Sequence, residues 1–182
     1  MKKVALGDGV SRCYAAGHAR HVRPEKGIAR PEGIGSELSA YAGQFEYICV
    51  LRNKRTGNYI IEPMAKHPIG ASAVFGAVTT ISAEKYESEM TSAVLANLAK
   101  YNRQEFQEEL APKRRPPKEE REFLESHLSV SITRYPWGDI WIYPMQRDKG
   151  GYRGIGEKIV VPASEVSKQL TAALQEAFSK SG

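Results

Sequence analysis

The sequence predicts an α+β fold in which antiparallel sheet is flanked by helices, built from two pseudo-repeated αβββα units that share a core. Three observations predict it: a segment that recurs along the chain, apolar residues alternating with period two, and apolar residues spaced by four in helical stripes.

The recurrence has a spacing of 81. Ile61-Glu62-Pro63-Met64 aligns with Ile142-Tyr143-Pro144-Met145, and the same shift carries Gly57-Asn58 onto Gly138-Asp139. Tyr47, Cys49 and Leu51 fall on Leu128, Val130 and Ile132, and with one residue deleted Met90, Val94 and Leu98 fall on Leu170, Leu174 and Phe178. The copies are expected over residues 36–101 and 117–181, inside one domain of residues 36–182. Residues 111–117, with three prolines in seven, read as a linker between them.

Residues 1–35 come first and read as a basic, flexible, Gly-rich arm that folding does not need. Residues 1–30 hold seven Lys/Arg and two acids, which leaves nineteen of the 26 basic and nineteen of the 21 acidic residues for the remainder. The net charge of +5 therefore sits in residues 1–30, and the remainder of the chain is neutral. Short helices are expected over 37–45 and 118–126. Alternation at 47, 49, 51 and at 128, 130, 132 gives first strands with one buried face. Turns at 53–58 and 135–139 carry the Gly, Pro and Asn/Asp that reverse a chain. Second strands over 59–62 and 140–143 are expected to stop at Pro63 and Pro144, since proline cannot donate to a ladder. Third strands over 77–81 and 158–161 follow Gly-bearing loops. The closing helices carry the stripes Tyr86, Met90, Val94, Leu98 and Val166, Leu170, Leu174, Phe178, with Ser82 and Ser164 as N-caps.

The chemistry-bearing residues point away from catalysis. No nucleophile elbow, P-loop or zinc-binding His pair occurs, and His18, His21, His67 and His127 join no constellation. Cys13 and Cys49 make neither a disulfide framework nor a zinc site, so a reducing cytoplasm, no metal and no cofactor are expected. The apolar run 71–78 is too short to span a bilayer. The Gly-rich stretch 150–156 lies between strands, not ahead of a helix, which disfavours a phosphate cradle. Its surroundings suit recognition instead: Arg147, Asp148, Lys149, Tyr152 and Arg153 place charge and an aromatic ring on a connection. Trp137, in a Pro-Trp-Gly-Asp turn, is hard to bury and is the leading anchor, while Trp141 and Tyr143 on one strand face read as core.

The stretch Asp139-Ile-Trp-Ile-Tyr-Pro-Met-Gln-Arg-Asp-Lys-Gly-Gly-Tyr-Arg153, followed by the helix carrying Leu174 and Phe178, resembles the CdiI family of contact-dependent growth inhibition immunity proteins. The likeness covers residues 45–182 and omits 1–35. It implies a bacterial cytoplasmic protein that binds and blocks the C-terminal toxin domain, commonly a nuclease, of a matching effector. Inhibitors of basic nucleases are often acidic, whereas this body is neutral. The alternative reading is a nucleic-acid-binding protein whose arm and Lys113-Arg114-Arg115 grip phosphates while aromatics stack on bases.

Overall fold

The computed structural model describes residues 12–13, 45–66, 72–101, 115–148 and 151–182. Among these residues nine strands make one sheet: β1 (Arg12–Cys13), β2 (Glu46–Asn53), β3 (Tyr59–Lys66), β4 (Ser72–Val74), β5 (Thr79–Ile81), β6 (His127–Arg134), β7 (Ile140–Asp148), β8 (Gly151–Gly154) and β9 (Ile159–Val161). The order is β1-β8-β7-β6-β2-β3-β4, with β5 also on β3 and β9 also on β7. Every pairing is antiparallel except that of β1 with β8. The helices are α1 (Tyr86–Leu98), α2 (Pro117–Ser126) and α3 (Val166–Lys180), and none of the described helices is long and apolar enough to cross a membrane.

The α+β class is as expected, with several corrections. Each unit has four strands where three were expected, because the Gly-bearing connections form β4 and β8. Pro63 and Pro144 lie inside β3 and β7, where their carbonyls accept from the amides of Phe75 and Ile155 at 2.9 Å. The missing proline N–H points to that same side, where β5 gives way to β4 and β9 to β8, so no ladder bond is lost. Arg12 and Cys13 pair with Gly151 and Tyr152, so at these two residues the arm is docked at a sheet edge. The helix expected over 37–45 falls, apart from Phe45 itself, outside the described residues; Phe45 stands in a bend before β2. Pro117 is the first residue of α2, where its fixed φ favours the helix, and is not linker.

The serines do not cap. Short 3-10 turns, Ala83–Lys85 and Ala163–Glu165, precede α1 and α3. Asn58 Oδ1 accepts from the Ala83 amide at 3.1 Å, and Asp139 Oδ1 accepts from the Ala163 amide at 3.0 Å. These acceptors arrive from the hairpin turns, where Gly57 and Gly138 hold φ of 75° and 98°. A Cβ on Gly138 would meet the Ala163 Cβ at 2.8 Å, so the turn needs glycine for approach as well as conformation.

The sheet is buried on both faces. On the first, Ile48, Val50, Tyr59, Ile61, Val130, Ile132, Ile140 and Ile142 pack against the expected stripes of α1 and α3. On the second, Tyr47, Cys49, Leu51, Met64, Met145 and Tyr152 pack with Tyr101 and with Leu124 of α2. This division corrects the repeat in one respect. Tyr47, Cys49 and Leu51 face the second core, whereas Leu128, Val130 and Ile132 face the first. The positions that match in facing are Ile48 with Val130 and Val50 with Ile132, a spacing of 82, because six residues separate Arg52 from its partner Tyr59 and only five separate Arg134 from Ile140. Element order thus recurs in both halves, while superposition of the halves stays an expectation.

Tyr152, expected on the surface, is 4% exposed. Its hydroxyl donates to the Leu124 carbonyl at 3.0 Å and lies 3.3 Å from that of His127, satisfying a carbonyl left free at the end of α2. The His127 ring continues the closure: Nδ1 lies 2.8 Å from the Phe123 carbonyl, so Nδ1–H donates there and Nε2 accepts from the side-chain Nδ2 of Asn53 at 3.4 Å. Burial, offset in part by that backbone bond, holds its pKa below the usual histidine value.

The second core also holds an acid. Glu62 is 6% exposed on β3, opposite Cys49, and burial pushes its carboxyl up from 4.5 to about 7, with Arg115 drawing it down and Glu120 adding to the rise. A carboxyl raised on folding is neutral in both states at low pH, and its burial penalty grows as pH rises from the unfolded value through the folded one. Glu62→Gln is therefore expected to match the wild type in stability near about pH 4 and to exceed it by up to about 3 kcal/mol near about pH 8, measured by urea unfolding. Equal pH profiles would refute the burial account. For the Tyr152 anchor, Tyr152→Phe is expected to lose about 1 kcal/mol and Tyr152→Ala about 3–5 kcal/mol, again by urea unfolding.

Candidate partner-binding surface

The residues singled out as partner-binding lie at opposite ends of β7. At one end the Tyr135–Asp139 turn closes the β6–β7 hairpin, with the Tyr135 amide donating to the Asp139 carbonyl at 3.0 Å and the Gly138 amide to the Tyr135 carbonyl at 2.9 Å. Trp137 stands 44% exposed on this turn. Its ring stacks on Tyr135 at 4.8 Å between centroids, and its Nε1–H donates to Asp139 Oδ2 at 3.1 Å. Its exposure is what the turn composition predicts, and its orientation is fixed by ring contact and hydrogen bond together.

Trp141, on β7, continues the aromatic row. Tyr135 leans on it at 4.4 Å, and Lys158 places Nζ 3.1 Å from its ring centroid. Burial lowers the Lys158 pKa, and the side chain enters no ion pair among the described residues. Val160, 44% exposed, lies directly opposite Trp141 in the β7–β9 pairing. Tyr143, two residues along, shares a hydrogen bond with Tyr135, and burial raises both phenols, Tyr143 the further. Trp141 and Tyr143, expected in the core, are half-buried.

The other end of β7 is different in kind. Arg147 Nη1 pairs with Glu125 Oε1 of α2 at 2.9 Å, both groups largely exposed. Asp148 lies opposite Gly151, and exposed Arg153 lies opposite Gln146. Tyr152 belongs to the core, and Lys149 lies outside the described residues. Arg147 lies six residues on from Trp141 along β7, about 20 Å of strand, so Trp137 and the Arg147–Arg153 hairpin do not form one patch.

Sequence reasoning missed Tyr135, Lys158 and Val160. Lys158 to Val161 reads Lys-Ile-Val-Val, which carries no alternation to say which side chains share the face of Trp141. Only the pairing of β9 with β7 supplies that information.

Elsewhere, an open groove of about 540 Å³ runs between α1 and α3, lined by Glu87, Thr91, Leu95, Ser167, Thr171 and Gln175. It is bridged by Thr91–Thr171 and Gln175–Glu87 hydrogen bonds at 2.9 and 3.0 Å, so its polar groups are largely engaged with one another. Among the described residues no group of three His, Cys, Asp or Glu side chains could hold a metal ion.

No family model and no curated protein matches the sequence. Solved structures do match the fold. A protein of unknown function from Neisseria meningitidis is similar at a TM-score of 0.59 and 15% identity, over 77% of this chain and 97% of that one. A chain of the CdiA-CT/CdiI toxin and immunity complex from Yersinia pseudotuberculosis is similar at a TM-score of 0.57 and 14% identity, over 76% of this chain and 98% of that one. At these identities the likeness is one of fold.

Proposed function

We propose that this chain is an immunity protein that binds the C-terminal toxin domain of a contact-dependent growth inhibition effector and neutralises it in the cytoplasm. The observation that carries the reading is the fold shared, over 76% of this chain, with a chain from a toxin and immunity complex. The resemblance of residues 139–153 to the CdiI family points the same way. Supporting both, the described surface offers a fixed aromatic corner and exposed ion pairs, the composition of a protein-binding face. A neutral body suits a protein partner better than a phosphate backbone, which calls for a concentrated basic stripe.

An inhibitory complex of this kind buries on the order of 1,600 Å² in total, more than either end of β7 alone supplies. The experiment is genetic first. The coding region beside this chain's is expected to encode the effector; expression of that effector's C-terminal domain alone should arrest growth, and co-expression with this chain should restore it. Purified proteins should form a stoichiometric complex with a Kd on the order of nanomolar. Growth arrest unrelieved by this chain would sink the reading, as would tight binding of purified chain to an oligonucleotide with affinity falling steeply with salt.

A further inference from the structure

Of the three large hydrophobic side chains that stand exposed among the described residues, Trp137 and Val160 flank one corner of the sheet. Between them run Tyr135 and Trp141, the first stacked on Trp137 at 4.8 Å and tilted against Trp141 at 4.4 Å. Rings locked this way present rigid apolar area and lose little side-chain entropy when covered. The corner also carries a charge. Lys158 lies on Trp141 with Nζ 3.1 Å from the ring centroid, a contact that fixes the ammonium without neutralising it.

The carboxylate of the neighbouring turn is engaged elsewhere. Asp139 accepts the Trp137 indole N–H on one oxygen and the Ala163 amide on the other. Lys158 enters no ion pair among the described residues, although Glu157 precedes it in the chain. Covering Trp137 and Val160 with a partner would strip water from this ammonium, and an unpaired charge in a dry interface is strongly unfavourable. A partner that covers the corner must therefore bring an anion to Lys158.

We propose that Tyr135, Trp137, Trp141, Lys158 and Val160 form the docking face for the protein partner, which seats an apolar side chain among the rings and a carboxylate on Lys158. This rests on the immunity reading and names the chemistry that the toxin domain presents. Charge complementarity selects a protein over a nucleic acid: a lone lysine on this corner among the described residues, with Glu157 before it in the chain, is not a phosphate track, which needs several cations along a groove. Fold position adds a second argument. The counterpart of Trp141 in the first half is Ile60, which packs against the second core, so the aromatic corner belongs to the second half alone.

The chain holds two tryptophans, Trp137 and Trp141, both at this corner. Incorporating 5-fluorotryptophan into it alone yields two ¹⁹F resonances that report the proposed face, whatever tryptophans the partner carries. Adding the unlabelled C-terminal domain of the adjacent effector should shift both. Lys158→Ala should weaken binding by about tenfold or more by calorimetry, Lys158→Arg should retain most of it, and neither should move the melting temperature by more than a degree or two. Trp137→Ala, on an exposed turn, is a second variant with the same expected loss should Lys158→Ala fold poorly. If the domain binds and growth is protected while both resonances stay put and both variants keep full affinity, the docking face is elsewhere; the proposal falls and the immunity reading stands. If the domain does not bind, both fall. If a twelve-residue thymidine oligonucleotide shifts the resonances and the domain does not, the partner class is wrong.

Discussion

Glu46 to Asn53 lie opposite Arg134 to His127 residue for residue, and this unbroken register between β2 and β6 is what joins the two halves. Both faces of the pair are buried, so a slip of one residue would carry Ile48 and Val50 into the core built for Tyr47, Cys49 and Leu51. The register is thereby fixed from both sides. Once it is set, β3 and β7 follow through hairpins, and the turns of those hairpins reach back through Asn58 and Asp139 to hold the 3-10 turns that lead into α1 and α3. Those contacts help place the helix stripes over the first face, which closes the larger core.

The second face is closed less uniformly, and that is where polar chemistry accumulates. Ser129 and Ser131 are buried on β6, and Ser129 Oγ and Glu120 Oε1 are buried with no hydrogen-bond partner among the described residues. Glu62 lies in the same layer under α2. Such groups lower stability relative to an apolar layer. The anchors that hold this face shut are correspondingly specific: the Tyr152 hydroxyl on the end of α2 and the His127 ring on the Phe123 carbonyl.

What the sequence made legible follows from period. Stripes spaced by four mark α1 and α3 because each helix presents one apolar face to one sheet face. Alternation marks β2 and β6 as strands, but it cannot say which of two buried faces a residue takes, and so the spacing of 81 aligned residues that face opposite cores. β4 and β8 look like loops in the sequence because they are short, and β8 has glycine at both ends. Tyr152 was placed on the surface for the same reason: its neighbours are glycine and arginine, and the α2 carbonyl that accepts its hydroxyl is distant in sequence. At the candidate site, Trp137 was legible from turn chemistry alone, whereas Lys158 and Val160 became its neighbours only through β7–β9 pairing. The chain between Trp141 and Lys158 is a hairpin whose return register no local pattern announces.

Matching the two halves by the element order they share, and not by superposition, sets the following positions side by side. On the first face each pair is apolar in both halves: Ile48 and Val130, Val50 and Ile132, Ile61 and Ile142, Ile81 and Val161, Met90 and Leu170, Leu98 and Phe178. That is the pattern of a core both halves must bury together, and volume rather than identity is what packing there constrains. On the second face the same correspondence pairs Leu51 with Thr133, Tyr47 with Ser129, Glu62 with Tyr143 and Ile60 with Trp141. A shared core explains why the first set agrees, and it places no such demand on the second. The first half uses its second face to bury Leu51, Tyr47 and Met64, whereas the second half leaves Trp141 and Tyr143 half-covered and lays Lys158 across the former. Aromatic area left open on a sheet face lowers solubility, and a fold gains nothing from it unless something else covers it. Exposed Trp137 and Val160 beside half-buried Trp141 are therefore the structural reason to look for a partner at the β6–β7–β9 corner.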